Sequence, residues 1–168
     1  MHILLENFRC FSGKRNRIPI RPLTILVGEN STGKTSLMAA AAALSNLQTF
    51  PLRPSFNSPP FALGSYETIA SRGSRGKVAD YFAIGFEESE RTSGRRRVLA
   101  KYVQERGRVQ FQSFSLTSDV GTLNVSSQKA GLHFQGQLST RDEVLYRFGG
   151  RTKAEETEGY DLSAYLST

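Results

Sequence analysis

Residues 23–40 read LTILVGENSTGKTSLMAA. Apolar and branched residues run into Gly28, a polar loop follows, and Lys34 and Thr35 open an alanine-rich segment. The eight residues 28–35, GENSTGKT, fit the spacing G-x-x-x-x-G-K-[ST]. Gly28 and Gly33 let the backbone turn tightly and approach oxygen atoms where a side chain would clash. The loop's N–H groups then converge as an anion nest at the positive end of the following helix. Lys34 supplies a point charge for the outer phosphates and is the candidate catalytic residue, and the Thr35 hydroxyl is the candidate Mg²⁺ ligand. The expected binding site takes in Gly28, Glu29, Asn30, Ser31, Thr32, Gly33, Lys34, Thr35 and Ser36. An accidental glycine-rich turn ahead of a helix would match the same letters. The apolar strand before the loop and the capless helix after it favour a phosphate cradle.

Outward from that loop, 168 residues with 38% hydrophobic and 22% charged make one globular domain with room for a core. No apolar run is long enough to cross a bilayer, and the start MHILLENFRC lacks the pattern of a secretory signal. Cys10 has no second cysteine to pair with, which suits a reducing cytoplasm. With His2 and His133 it makes too few ligands for a metal cluster. The net charge of +7 invites an acidic partner, nucleotide or nucleic acid. The basic residues crowd into 72–108, where solvated strand edges and turns account for them better than a specific DNA track does.

Residues 2–11 and 17–27 read as strands separated by a turn, and 35–48 as a helix of strong helix formers. Residues 50–77 hold prolines and glycines that force a long excursion over some other surface. From 78 to 140 the pattern has period two. Val78, Phe82, Ile84 and Phe86 share a face, as do Val98, Ala100 and Tyr102, with turn signals between the runs. This predicts a meander of antiparallel strands, half buried. The last stretch, 141–168, is polar and reads as the start of a helical region. The expected fold class is α/β: a P-loop lobe in residues 1–49, the strand from Leu23 to Gly28 in a central sheet, and an antiparallel β-meander subdomain beside it.

Residues 3–44 resemble the start of the ABC-type ATPases of the SMC, RecF and OLD group. Those begin with a strand carrying NFR-x-F, a second strand, then an apolar run into G-x-N-x-x-GK[ST]; Asn7, Phe8, Arg9, Phe11 and Asn30 match. Ser31 stands where the SMC branch has Gly, which directs the resemblance toward the OLD-like, AAA-type branch. The resemblance implies ATP and Mg²⁺ as cofactors, and it places Arg9 near the bound nucleotide. A structural arginine accounts for that position equally well. It also implies that two heads close face to face around ATP, as a homodimer or with a complementing chain, and drive DNA-related or nuclease effectors.

Hydrolysis needs a Walker B strand ending in a metal-binding Asp, usually followed by a Glu that polarises water. Residues 81–90, YFAIGFEESE, alternate with period two and carry Glu where that Asp belongs. Asp142 and Glu143 follow no apolar strand, no signature motif is recognisable, and Gln135 and Gln137 are only nominal candidates for the metal-contacting Gln. The sequence therefore reads as the N-terminal half of an ATPase, with poor solubility alone or obligate pairing expected. Two other readings stand beside it: a small P-loop kinase, and a nucleotide-sensing or nucleic-acid-binding module without turnover.

Overall fold

A computed structural model describes residues 1–13, 16–30, 32–90, 94–128, 133–140 and 143–151. Its frame is one eight-stranded sheet in the order β2-β1-β3-β4-β5-β6-β7-β8, antiparallel throughout. The strands are β1 (His2–Glu6), β2 (Asn16–Pro19), β3 (Phe82–Glu90), β4 (Gly94–Glu105), β5 (Arg108–Ser118), β6 (Thr122–Gln128), β7 (His133–Ser139) and β8 (Val144–Arg151). Two helices, α1 (Lys34–Ser45) and α2 (Tyr66–Ile69), belong to the connection between β2 and β3.

Alternation decides which face of the sheet is covered. Ile3, Leu5, Phe82, Ile84, Val98, Ala100, Tyr102 and Phe114 face one hydrophobic core. Ala39, Ala40, Ala43 and Leu44 of α1 join it; the alanine side chains let the helix lie close. The proline-rich excursion closes over the same core through Phe50, Phe56 and Leu63. Aromatic rings dominate the centre. Phe82 lies 5.3 Å from Tyr102 and 5.5 Å from Phe56, centroid to centroid. Full burial of each large apolar side chain stabilises the fold by about 1.5–3 kcal/mol. The buried Tyr102 hydroxyl donates to Pro51 O at 2.7 Å, and that of Tyr66 to Ala79 O at 3.0 Å, so neither is left unpaired. On the opposite face Glu87 is buried, and Arg17 and Arg95 neutralise it at 3.0 and 2.9 Å.

The sheet revises the sequence reading in four places. First, β1 pairs with β3 as well as with β2, so the N-terminal hairpin and the meander form one sheet. Second, the strand expected over 17–27 ends at Pro19: neither Pro19 nor Pro22 can donate to a ladder. Residues 21–28 have no ladder partner, and Leu23, Ile25 and Val27 are 80, 74 and 85% exposed. The α/β class with Leu23 to Gly28 in a central sheet is thus only partly met. A parallel strand needs neighbours on both sides, and the described residues supply none. Third, the helix stops at Ser45 rather than Gln48, because Asn46 leaves helical geometry and its carbonyl accepts from Thr49 and Phe50. Fourth, residues 144–151, expected to lead into a helix, form strand β8 with Tyr146 and Phe148 stacked on one face. Residues 152–168 lie outside the described residues. Among the described residues, no helix is long and apolar enough to cross a membrane.

Candidate phosphate-binding site

The loop before α1 is built from glycine geometry. Gly33 has φ 102° and ψ 4°, a left-handed conformation, and caps α1 without a side-chain hydrogen bond. The Leu37 N–H donates to Gly33 O at 2.9 Å, which starts the helical ladder. The N–H groups of the first turn then have no carbonyl partner within the helix, and no acidic residue stands there to offset their charge. Gly28 has φ 151°, and a Cβ added there would come within 3.0 Å of Thr32 Oγ1. Thr32 Oγ1 itself donates to Glu29 O at 2.8 Å and tightens the turn.

Lys34 closes the loop on itself. Its ammonium donates to Gly28 O at 2.7 Å and to Glu29 O at 2.5 Å. Both acceptors are backbone carbonyls, so no carboxylate competes with an incoming anion for the charge. The loop is open to solvent at Gly28, Glu29, Asn30, Thr32 and Thr35, whereas Ser36 is buried. Gly28, Glu29, Asn30, Thr32, Gly33, Lys34, Thr35 and Ser36 all belong to this single turn; Ser31 lies outside the described residues. The arrangement fits a polyphosphate: a cation held by backbone carbonyls, first-turn N–H groups without an intrahelical carbonyl, and no Cβ where the backbone must approach. Among the described residues, no group of three His, Cys, Asp or Glu stands ready for a metal. A Mg²⁺ ion here would rest on Thr35 Oγ1, phosphate oxygens and water, a ligand set usual for that ion.

The NFRCF turn braces the loop from the side. Asn7 and Arg9 take positive φ of 49 and 52°, and Phe8 and Phe11 exchange backbone hydrogen bonds at 3.1 and 2.8 Å. Phe8 is fully buried, which fixes the turn to the core. Cys10 and Phe11 then lie against Gly33: a Cβ there would be 2.5 Å from Cys10 Sγ and 3.2 Å from the Phe11 ring. Sequence reading missed this contact, because Cys10 and Gly33 meet only once the chain has closed. The Arg9 guanidinium donates to Leu63 O at 3.4 Å and Thr68 O at 3.2 Å, and its backbone N–H to Ile69 O at 2.7 Å. Those bonds tie Arg9 to the segment around α2. A hollow of about 280 Å³ adjoins the turn, lined among others by Asn7, Ser12, Arg72 and Lys77.

Other candidates fall elsewhere. Gln135 and Gln137 stand on β7, five strands from β1 in the sheet order, which is roughly 24 Å at the usual strand spacing. Both lie on the face opposite the core that α1 joins. Residues 82–90 form β3 within the antiparallel sheet, where Glu88 pairs with Arg96 at 3.5 Å. Cys10 is exposed and unpaired. Position 133 begins β7, and Asp142 lies outside the described residues.

Residues 1–105 match the sequence model of a family described as AAA ATPase domain. No curated protein and no solved structure matches the chain.

Proposed function

The chain belongs to the AAA ATPase domain family of P-loop proteins, and on that premise we propose that it is the ATP-binding N-terminal half of an OLD-like, ABC-type ATPase of the SMC, RecF and OLD group. It holds Mg-ATP through residues 28–36 and hydrolyses it only when Walker B and signature segments from elsewhere complete the site. The output is a DNA-related or anti-phage effector. The observation that carries this reading is the exposure of Leu23, Ile25 and Val27 immediately before the loop. A branched apolar run with no ladder partner is a strand awaiting neighbours, supplied by a second copy or a complementing chain. The antiparallel frame speaks against a small kinase, whose strands would run parallel.

Members of the family generally use ATP and Mg²⁺. In this chain Lys34 would exchange its two carbonyl acceptors for phosphate oxygens, a swap that needs only side-chain rotation. The N–H groups at the start of α1 would fix the phosphates by charge and direction. Thr35 Oγ1 would hold the metal, and Gly33 would keep the approach clear. Bound Mg-ATP would supply the γ-phosphoryl group, whose phosphorus water attacks as the bond to ADP breaks. The residues described here bind and orient; the water-polarising carboxylate must come from the completing segment.

Thermal unfolding of the chain with and without Mg-ATP tests the reading. At 100 times Kd the folded state gains roughly 2.7 kcal/mol, and Lys34→Ala is expected to abolish the shift while melting like the unmodified chain without nucleotide. A folded chain that shows no shift overturns nucleotide binding by this half alone.

A further inference from the structure

The resemblance carried by the NFR-x-F run sets Arg9 beside a bound nucleotide, but the fold commits its side chain elsewhere. Arg9 Nη1 donates to Leu63 O at 3.4 Å and to Thr68 O at 3.2 Å, one acceptor before α2 and one within it. Both are backbone carbonyls, and among the described residues Arg9 is held in no ion pair. The receiving segment is itself well anchored. Thr68 Oγ1 donates to Leu63 O at 2.6 Å, the Leu63 N–H donates to Phe56 O at 3.0 Å, and Leu63, Tyr66, Ile69 and Ala70 are buried. Two backbone bonds complete the clamp: the Arg9 N–H donates to Ile69 O at 2.7 Å, and the Ser71 N–H to Asn7 O at 2.8 Å.

At its other end the same turn touches the phosphate loop. Cys10 follows Arg9 directly, and its Sγ stands 2.5 Å from where a Cβ on Gly33 would lie; the Phe11 ring stands 3.2 Å from the same point. Gly33 therefore rests against the turn with no slack. Asn7 and Arg9 hold positive φ, 49 and 52°, which side chains adopt only where the surroundings impose it. The turn is thus kept in shape by its bonds to residues 63–71 rather than by its own preference. Released from those bonds, Arg9 relaxes toward negative φ, and Cys10 and Phe11 move with it because planar peptides link them.

We infer that Arg9 is a positioning residue of the phosphate loop, acting through Cys10 and Phe11 on Gly33, with residues 63–71 as its anchor. The inference rests on the reading of residues 28–36 as the nucleotide site and adds a control to it. Arg9 raises nucleotide affinity without touching the nucleotide. Gly33 opens α1, so the place where the turn holds it sets the direction of the first-turn N–H groups toward the phosphates. Close-packed contacts pass a displacement on instead of absorbing it. Whatever shifts the α2 segment then changes nucleotide affinity, and by linkage the nucleotide acts back on that segment by the same factor.

Cys10 is the single cysteine of the chain and is exposed, so its thiol reports on the turn. Two quantities are measured on the full chain: the rate of Cys10 labelling by a maleimide without nucleotide, and the affinity for a fluorescent Mg-ATP analogue. Arg9→Ala is expected to speed labelling and to weaken nucleotide binding by roughly 2- to 30-fold, the range for residues coupled through packing, while far-UV circular dichroism shows a folded chain. Thr68→Val removes the hydroxyl that fixes Leu63 O and should shift both quantities in the same direction; joined to Arg9→Ala it should add little. Arg9→Lys keeps a donor for the two carbonyls and should recover part of both. Arg53→Ala, at an exposed arginine elsewhere, should change neither. Weaker binding in Arg9→Ala with labelling unchanged overturns the inference, because Arg9 is then a direct nucleotide ligand. Faster labelling with affinity unchanged also overturns it, because the turn then moves without consequence for the loop. An unmodified chain that binds no Mg-ATP analogue fails the nucleotide-site reading instead, and the labelling rates alone then decide whether Arg9 holds the turn on Gly33. Should Arg9→Ala not fold, Thr68→Val, at an exposed position, carries the same two readouts.

Discussion

Gly33 carries two constraints at one atom position. Its φ of 102° disfavours any side chain, and Cys10 Sγ occupies the space that a Cβ would need. Gly33→Ala is expected to destabilise the chain by about 1–3 kcal/mol in urea unfolding. Adding Cys10→Gly should recover only the part due to collision, and the non-additivity measures that part. A tight turn at Gly33 was readable from the spacing of the motif, since the loop chemistry demands it. The collision was not. Cys10 belongs to a turn whose placement depends on Phe8 entering the core and on Arg9 reaching the segment around α2. The same limit applies to Arg9 itself, whose motif position is plain in the sequence while its carbonyl partners are not.

Among the elements, the strands with strict alternation were the most legible. Phe82 and Ile84, and Val98, Ala100 and Tyr102, do face the core, because period two survives any choice of neighbour. The sequence was less clear where local signals compete. Helix α2, Tyr66–Ile69, is too short for a periodic pattern and is held by tertiary contacts, Tyr66 above all. Burial first, and then the Asp80 and Glu67 carboxylates, push the Tyr66 phenol from 10.0 up to about 12. The folded chain therefore keeps a proton that the unfolded chain loses near pH 10.0. Its contribution to stability is fully present below that pH and declines as pH rises toward about 12. Thermal midpoints measured from pH 9 to 12 should fall, and Tyr66→Phe should remove part of the fall. Some slope should remain, since burial also raises the Tyr102 phenol.

At the scale of the whole molecule, the apolar run before the phosphate loop is the exposed feature on which self-association is expected to depend. Leu26 packs against the core while Leu23, Ile25 and Val27 face outward. Replacing Ile25 and Val27 together by Lys should change stability by no more than about 0.5 kcal/mol per site, the range for exposed positions. Self-association in sedimentation should decrease. A loss of several kcal/mol would instead place those side chains in a packed interior of the isolated chain. The pairing of β1 with β3 has another consequence, in the order of synthesis. Ile3 meets Phe86, so the first strand cannot take its place until the codons for the third have been read. At about 5–20 residues per second that interval is roughly 4–17 s, and both the NFRCF turn and the motif are synthesised within it, before β1 can pair with β3.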